Sequence, residues 1–83
     1  MSKFEKALLR LKSRPNDFTW RELQTLMTKF GYQEVKGGGS RRKFIHPQRQ
    51  LVVSLHEPHP KPIVKRYALD IILNHLREAG LIN

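Results

Sequence analysis

The sequence predicts an α+β fold: a three-stranded antiparallel sheet packed against helices on one face, with an extra N-terminal helix. Three observations carry this. Apolar residues recur at helical spacing in three segments. Two runs of strand-forming residues, preceded by a shorter one, lie between the second and third of these segments and flank a Pro47–Gln50 turn. Helices of this number and length cover only one face of such a sheet, so the other face stays open. The 83 residues are expected to form one domain, 1–83, with the extra helix at 1–14 and the core at 19–83.

The elements follow in chain order. From Ser2 to Ser13, Phe4, Ala7, Leu8 and Leu11 keep helical spacing, and Pro15-Asn16-Asp17 breaks the run. Thr19-Trp20-Arg21-Glu22 has the form of a capping box, in which the threonine hydroxyl and the glutamate carboxylate satisfy the first free backbone donors. The helix it opens carries Leu23, Leu26, Met27 and Phe30 on one stripe and stops at Gly31, a left-handed cap. Tyr32 to Lys36 reads as a short strand, although Tyr32 and Val35 have opposite parity and one of them must leave the pleat. Gly37-Gly38-Gly39-Ser40 connects it to the strands Arg41–His46 and Leu51–His56. Three prolines keep 56–62 irregular. A last helix places Val64, Tyr67, Ala68, Ile71, Ile72, Leu76 and Ala79 on an apolar stripe and ends at Gly80.

Charge is unevenly spread along this framework. Sixteen Lys and Arg against seven Asp and Glu give a formal charge of +9. Between Lys36 and Arg66 eight basic residues face one acid, Glu57, so +7 lies in the strands and the loop that leaves them. Clustering of this kind in a small domain points to an anionic partner, nucleic acid in particular. A basic face kept for solubility is the plainer reading, and a membrane-surface role fits poorly because the basic segment is not an amphipathic helix. Without cysteine there is no disulfide, thiolate metal site or thiol nucleophile. The start of the chain lacks a signal peptide's apolar stretch and no run approaches a bilayer span, so a cytoplasmic protein is expected.

A four-residue hairpin loop sets a register in which His46 pairs with Leu51, Phe44 with Val53, Arg42 with Leu55 and Arg41 with His56. Phe44, Leu51, Val53 and Leu55 then mark the core face. Arg41, Lys43, Ile45, Val52, Ser54 and His56 mark the open one, with Arg41 and His56 as cross-strand neighbours. Of the four histidines, His75 lies at the edge of the last helix's stripe and reads as structural, and His46 before Pro47 reads at least as well as a strand end. His56 and His59 flank a stiff loop at the edge of the basic face, where imidazole suits proton transfer near neutrality. With only Glu57 nearby, they supply too few ligands for a metal site, and none is expected. The glycine loop lacks the Gly-Lys-Ser/Thr of a P-loop.

Gly39-Ser40-Arg41-Arg42-Lys43-Phe44-Ile45-His46-Pro47 resembles the Gly-Ser-His-x-x-Phe-x-His-Pro stretch of HicA toxins, small mRNA interferases of bacterial toxin–antitoxin pairs. Gly31-Tyr32, Val35-Lys36, the Leu51–Leu55 strand, His59-Pro60 and Ala79-Gly80-Leu81 continue the likeness from about Trp20 to the end. The resemblance implies the α-β-β-β-α fold of double-stranded-RNA-binding domains, cleavage of mRNA without a metal or other cofactor, and neutralisation by a HicB-type antitoxin. It also places a catalytic histidine after Gly-Ser, where this chain has Arg41.

Three explanations of that departure are open. The base has moved to another histidine, with His56 first and His59 second; or arginine only binds and polarises the phosphate, giving a weak nuclease; or the chain binds RNA and has lost the chemistry. The first is coherent, since cleavage at the 2′-hydroxyl needs a base, an acid for the leaving 5′-oxygen and a cation at the phosphate. His56 and His59 suit the proton roles; Arg41, Arg42, Lys43, Ser40, Lys36 and Lys61 are the expected RNA contacts. An endoribonuclease toxin leads; a non-catalytic RNA-binding module is the alternative. A DNA-binding regulator is weaker, because the helix Trp20–Phe30 holds only Arg21 and Lys29 as basic residues.

Overall fold

Local signals set the ends of each element in the computed structural model, which describes residues 2–83. The order is α1 (Lys3–Lys12), α2 (Trp20–Lys29), β1 (Gln33–Lys36), β2 (Arg41–His46), β3 (Leu51–His56) and α3 (Arg66–Glu78). The expected capping box opens α2: Thr19 Oγ1 accepts the Glu22 N–H at 3.1 Å and Glu22 Oε1 accepts the Thr19 N–H at 3.0 Å. Ser2 and Glu5 repeat the motif at α1. Gly31, at φ +98°, ends α2, with the Tyr32 N–H bonded to the Met27 carbonyl and its own N–H to that of Thr28. Tyr32 belongs to this helix stop, which explains its clash of parity with Val35: the strand begins one residue later and the tyrosine turns into the core.

The sheet has the order β1-β2-β3, antiparallel throughout. The β2–β3 register is the one derived from the loop length, from Arg41 opposite His56 to His46 opposite Leu51. Phe44, Val53 and Leu55 are buried, and their neighbours in sequence point the other way. α2 lies beside β1 and α3 beside β3, while α1 packs on α2 and α3. Phe18, Leu23, Leu26, Met27, Leu69, Ile72 and Leu76 fill the space between. α1 contributes Leu11 to this core and sets Phe4 edge-on to Phe30 at 5.1 Å. Arg10 ties α1 to the cap of α2, donating from Nε to Glu22 Oε2 at 2.7 Å, and this bond holds the Glu22 carboxyl below its usual range.

One expectation for α3 is corrected. The buried stripe is Ala68, Leu69, Ile72, Leu73 and Leu76, while Tyr67 is 64% exposed and Ile71 41% exposed. The i, i+3, i+4 rule admits two overlapping stripes on a helix this rich in apolar residues. The helix turned the one bearing Leu69 and Leu73 inward, leaving Tyr67 and Ile71, one turn apart, in solvent.

The segment between β3 and α3 is irregular but anchored. Val64 donates to the Phe18 carbonyl at 2.7 Å, and Trp20 donates to that of Pro62 at 2.9 Å. Thr19 and Ile63 form an isolated bridge. The proline loop is therefore held against the start of α2. No helix among the described residues is long and apolar enough to cross a membrane.

Candidate functional site

Strand pairing builds the open face in rows. Gln33, Ile45 and Val52 form one row; Val35, Lys43 and Ser54 form the next; Arg41 and His56 close it at the end away from the hairpin turn. Arg41 and Lys43 are exposed, and among the described residues neither takes part in an ion pair. Their charges therefore project outward beside a small apolar strip of Val35, Ile45 and Val52.

The end of the sheet bearing His56 is held by a compact set of bonds. Glu57 donates its N–H to the Ser40 carbonyl at 2.7 Å, continuing the ladder past β3. His56 Nδ1 lies 3.1 Å from Ser40 Oγ. Arg42, with a side chain only 13% exposed, donates from Nε to Glu57 Oε1 at 3.0 Å and from Nη1 to the carbonyls of Gly39 and Arg41 at 2.9 and 2.8 Å. Glu34 approaches the same guanidinium at 3.9 Å. Arg42 is thus a clasp between the glycine turn and the exit of β3, with its charge compensated by carboxylates.

The proline loop and the start of α3 enclose a groove of about 650 Å³ beside this clasp. Ser40, His56, His59, Lys61, Lys65 and Tyr67 are among the residues that line it. A smaller hollow of about 300 Å³ lies between Gly39, Ser40, Arg42 and the Glu57–His59 segment. His59 borders both.

The structure brings together Ser40, His56, His59 and Lys61 around the groove, with Arg41 across the pair from His56 and Lys43 two residues along the same face. It sets Arg42 and Lys36 apart from this group. They pair with each other across β1 and β2 on the parity of Phe44, the face turned toward the helices. Lys36 is exposed there, whereas Arg42 is engaged as described. The other two histidines have structural surroundings. His46 is 5% exposed, accepts the Arg49 N–H on Nδ1 at 3.2 Å, and stands edge-on to Tyr32 at 5.2 Å. His75 Nε2 lies 2.6 Å from the Tyr32 hydroxyl. Burial lowers the His75 pKa and raises that of Tyr32, so both groups are neutral near pH 7.

Sequence reasoning missed Glu57 and Tyr67. Glu57 had a signal: it is the lone acid in a basic stretch, a natural partner for one arginine within reach. Tyr67 had none apart from its position on the helix, which suited a core residue equally well. Among the described residues no group of three or more His, Cys, Asp or Glu side chains is arranged to hold a metal.

The fold and charge define a small α+β domain with one uncovered, basic sheet face and a histidine-bearing groove at its edge. The model of the family described as HicA toxin of bacterial toxin–antitoxin matches residues 20–81, and the chain belongs to that family. The match excludes α1 and takes in every residue of the site. Membership implies an antitoxin partner. No curated protein and no solved structure matches the chain.

Proposed function

We propose that this toxin is a metal-independent endoribonuclease acting on mRNA in the cytoplasm, with a HicB-type antitoxin covering its basic face. The observation that carries the reading is the placement of His56: opposite Arg41 in the sheet, bonded through Nδ1 to Ser40 Oγ, and lining a groove with His59 and Lys61. In the tautomer whose Nδ1–H donates to Ser40, His56 Nε2 presents its lone pair and acts as general base on a 2′-hydroxyl. The 2′-oxygen then forms its bond to phosphorus as the bond to the 5′-oxygen breaks. His59 gives its proton to that leaving oxygen, and the products are a 2′,3′-cyclic phosphate end and a 5′-hydroxyl end. Arg41 and Lys43 stabilise the charge of the five-coordinate phosphorus, while Lys61 holds a flanking phosphate. Arg41 stays protonated and takes no part as a base.

Ser40 orients the base, and Arg42 acts on RNA through the Ser40–His56 geometry it clasps. The test is cleavage of a purified RNA with a chelator present, using His56→Ala, His59→Ala and the double variant. Loss of about a hundredfold or more is expected for each single change. Wild-type cleavage by the double variant would sink the assignment. A second reading, a non-catalytic RNA-binding module on the same face, is favoured by Arg41 standing where the resemblance places a catalytic histidine. It predicts salt-sensitive RNA binding by the wild-type protein with no cut product at any enzyme concentration.

A further inference from the structure

Tyr67 is a large aromatic side chain left 64% exposed on the first turn of the longest helix, and it lines the groove that His56 and His59 share. The groove, about 650 Å³, lies in the range of small-ligand sites. Its inner wall is apolar, made by Ile63, Val64 and Ala68, and its rim carries Lys61 and Lys65. An apolar slot with an aromatic face and a cationic edge matches one component of RNA in particular: a planar base attached to a phosphate.

We propose that this groove binds an unpaired nucleobase of the RNA strand, stacked on the Tyr67 ring, next to the phosphate held at His56 and His59. The inference rests on the endoribonuclease reading and names its substrate class as single-stranded RNA. Bases in a duplex are stacked on one another and cannot enter, so the groove selects unpaired segments, although an α-β-β-β-α domain with a basic face would otherwise suit a duplex recognised by shape. Stacking tolerates any base, so Tyr67 positions the strand without dictating sequence. A protein docked on this side would use Tyr67 and Ile71 together, since both are exposed one helical turn apart, whereas Ile71 lies outside the groove lining.

The experiment uses the full chain and a single-stranded oligoribonucleotide in which 2-aminopurine replaces one base at a time. Fluorescence is read on a fully 2′-deoxy copy, which cannot be cut, and cleavage on the ribose form. Quenching at one position is expected with wild type and with Tyr67→Phe. For Tyr67→Ala that quenching disappears and binding weakens about tenfold or more, while Ile71→Ala behaves as wild type and a duplexed probe shows no quenching. Cleavage with quenching unchanged in Tyr67→Ala overturns the subsite and leaves the nuclease standing. Tyr67-dependent quenching without cleavage of the ribose form keeps the subsite and removes the nuclease. RNA binding unaffected by Tyr67→Ala, with antitoxin binding lost in both Tyr67→Ala and Ile71→Ala, reassigns the surface to the protein partner and overturns the proposal.

Discussion

His46 and His56 end two strands of the same hairpin, yet they live in opposite environments. His46, beside the turn, is sealed under Tyr32 and Gly31. A side chain on Gly31 would place its Cβ 2.9 Å from the His46 ring. Its Nδ1 accepts a backbone N–H, and Tyr32 links it to the half-buried imidazole of His75. His56, at the far end, is exposed, has a serine on one ring nitrogen, and has His59 and Lys61 as fellow lining residues of an open groove. Each histidine of the first pair commits a ring nitrogen to the fold; both of the second pair are exposed. The residue type is common to both, and the neighbours decide whether a proton can come and go.

The comparison breaks most sharply if the two pairs exchange phenotypes. Replacing His56 and His59 by alanine is expected to lower RNA cleavage by about 100- to 10,000-fold, with a thermal midpoint close to wild type. His46→Ala should do the reverse. It empties a buried site and strands the Arg49 N–H, at a cost of about 2–4 kcal/mol in a urea titration. Any folded fraction of that variant should still cut RNA.

A similar contrast holds between the adjacent arginines. Arg42→Ala leaves Glu57 and the Gly39 carbonyl without their Arg42 donor, while the Arg41 carbonyl keeps the Gly37 N–H, and should cost about 1–3 kcal/mol. Arg41→Ala should change stability by no more than about 0.5 kcal/mol and lower the salt-dependence slope of RNA binding by about one.

The smallest effect is a pH dependence. Because burial lowers the His75 pKa on folding, the unfolded chain binds the extra proton more readily. The contribution of His75 to stability is therefore present above about pH 6.5 and lost as pH falls through the lowered folded value. His75→Gln, which keeps a hydrogen-bonding group near Tyr32 and removes the titration, should flatten the stability profile between pH 7 and 5.

Much of the frame was legible because its signals are local. Thr19 and Glu22 lie three residues apart, Gly31 follows its helix directly, and the four residues of the hairpin loop set the pairing of Arg41 with His56. The burial of Phe44, Val53 and Leu55 then followed from parity. The α3 stripe was not legible in the same way. Leu69 and Leu73 compete with Tyr67 and Ile71 for the inside, and only the shape of the sheet and α2 against which the helix packs makes that choice. Arg42 is a related case: its parity was readable, its clasp on Glu57 was not, because the two residues are brought together by the path of the chain beyond β3.

The sequence by itself determined the α+β class, the order and caps of the elements, the hairpin register and the placement of Arg41, Lys43 and His56 on one open face. These depend on contacts within a few residues and on the two-residue period of a strand. Tertiary structure alone decided that the proline loop folds back on Phe18 and Trp20, that His59 and Tyr67 thereby share a groove with His56, and that Arg42 is neutralised while Arg41 is not. Those outcomes join residues far apart in the chain, and the physical quantity that selects them, which apolar surface is buried against which, belongs to the folded molecule as a whole.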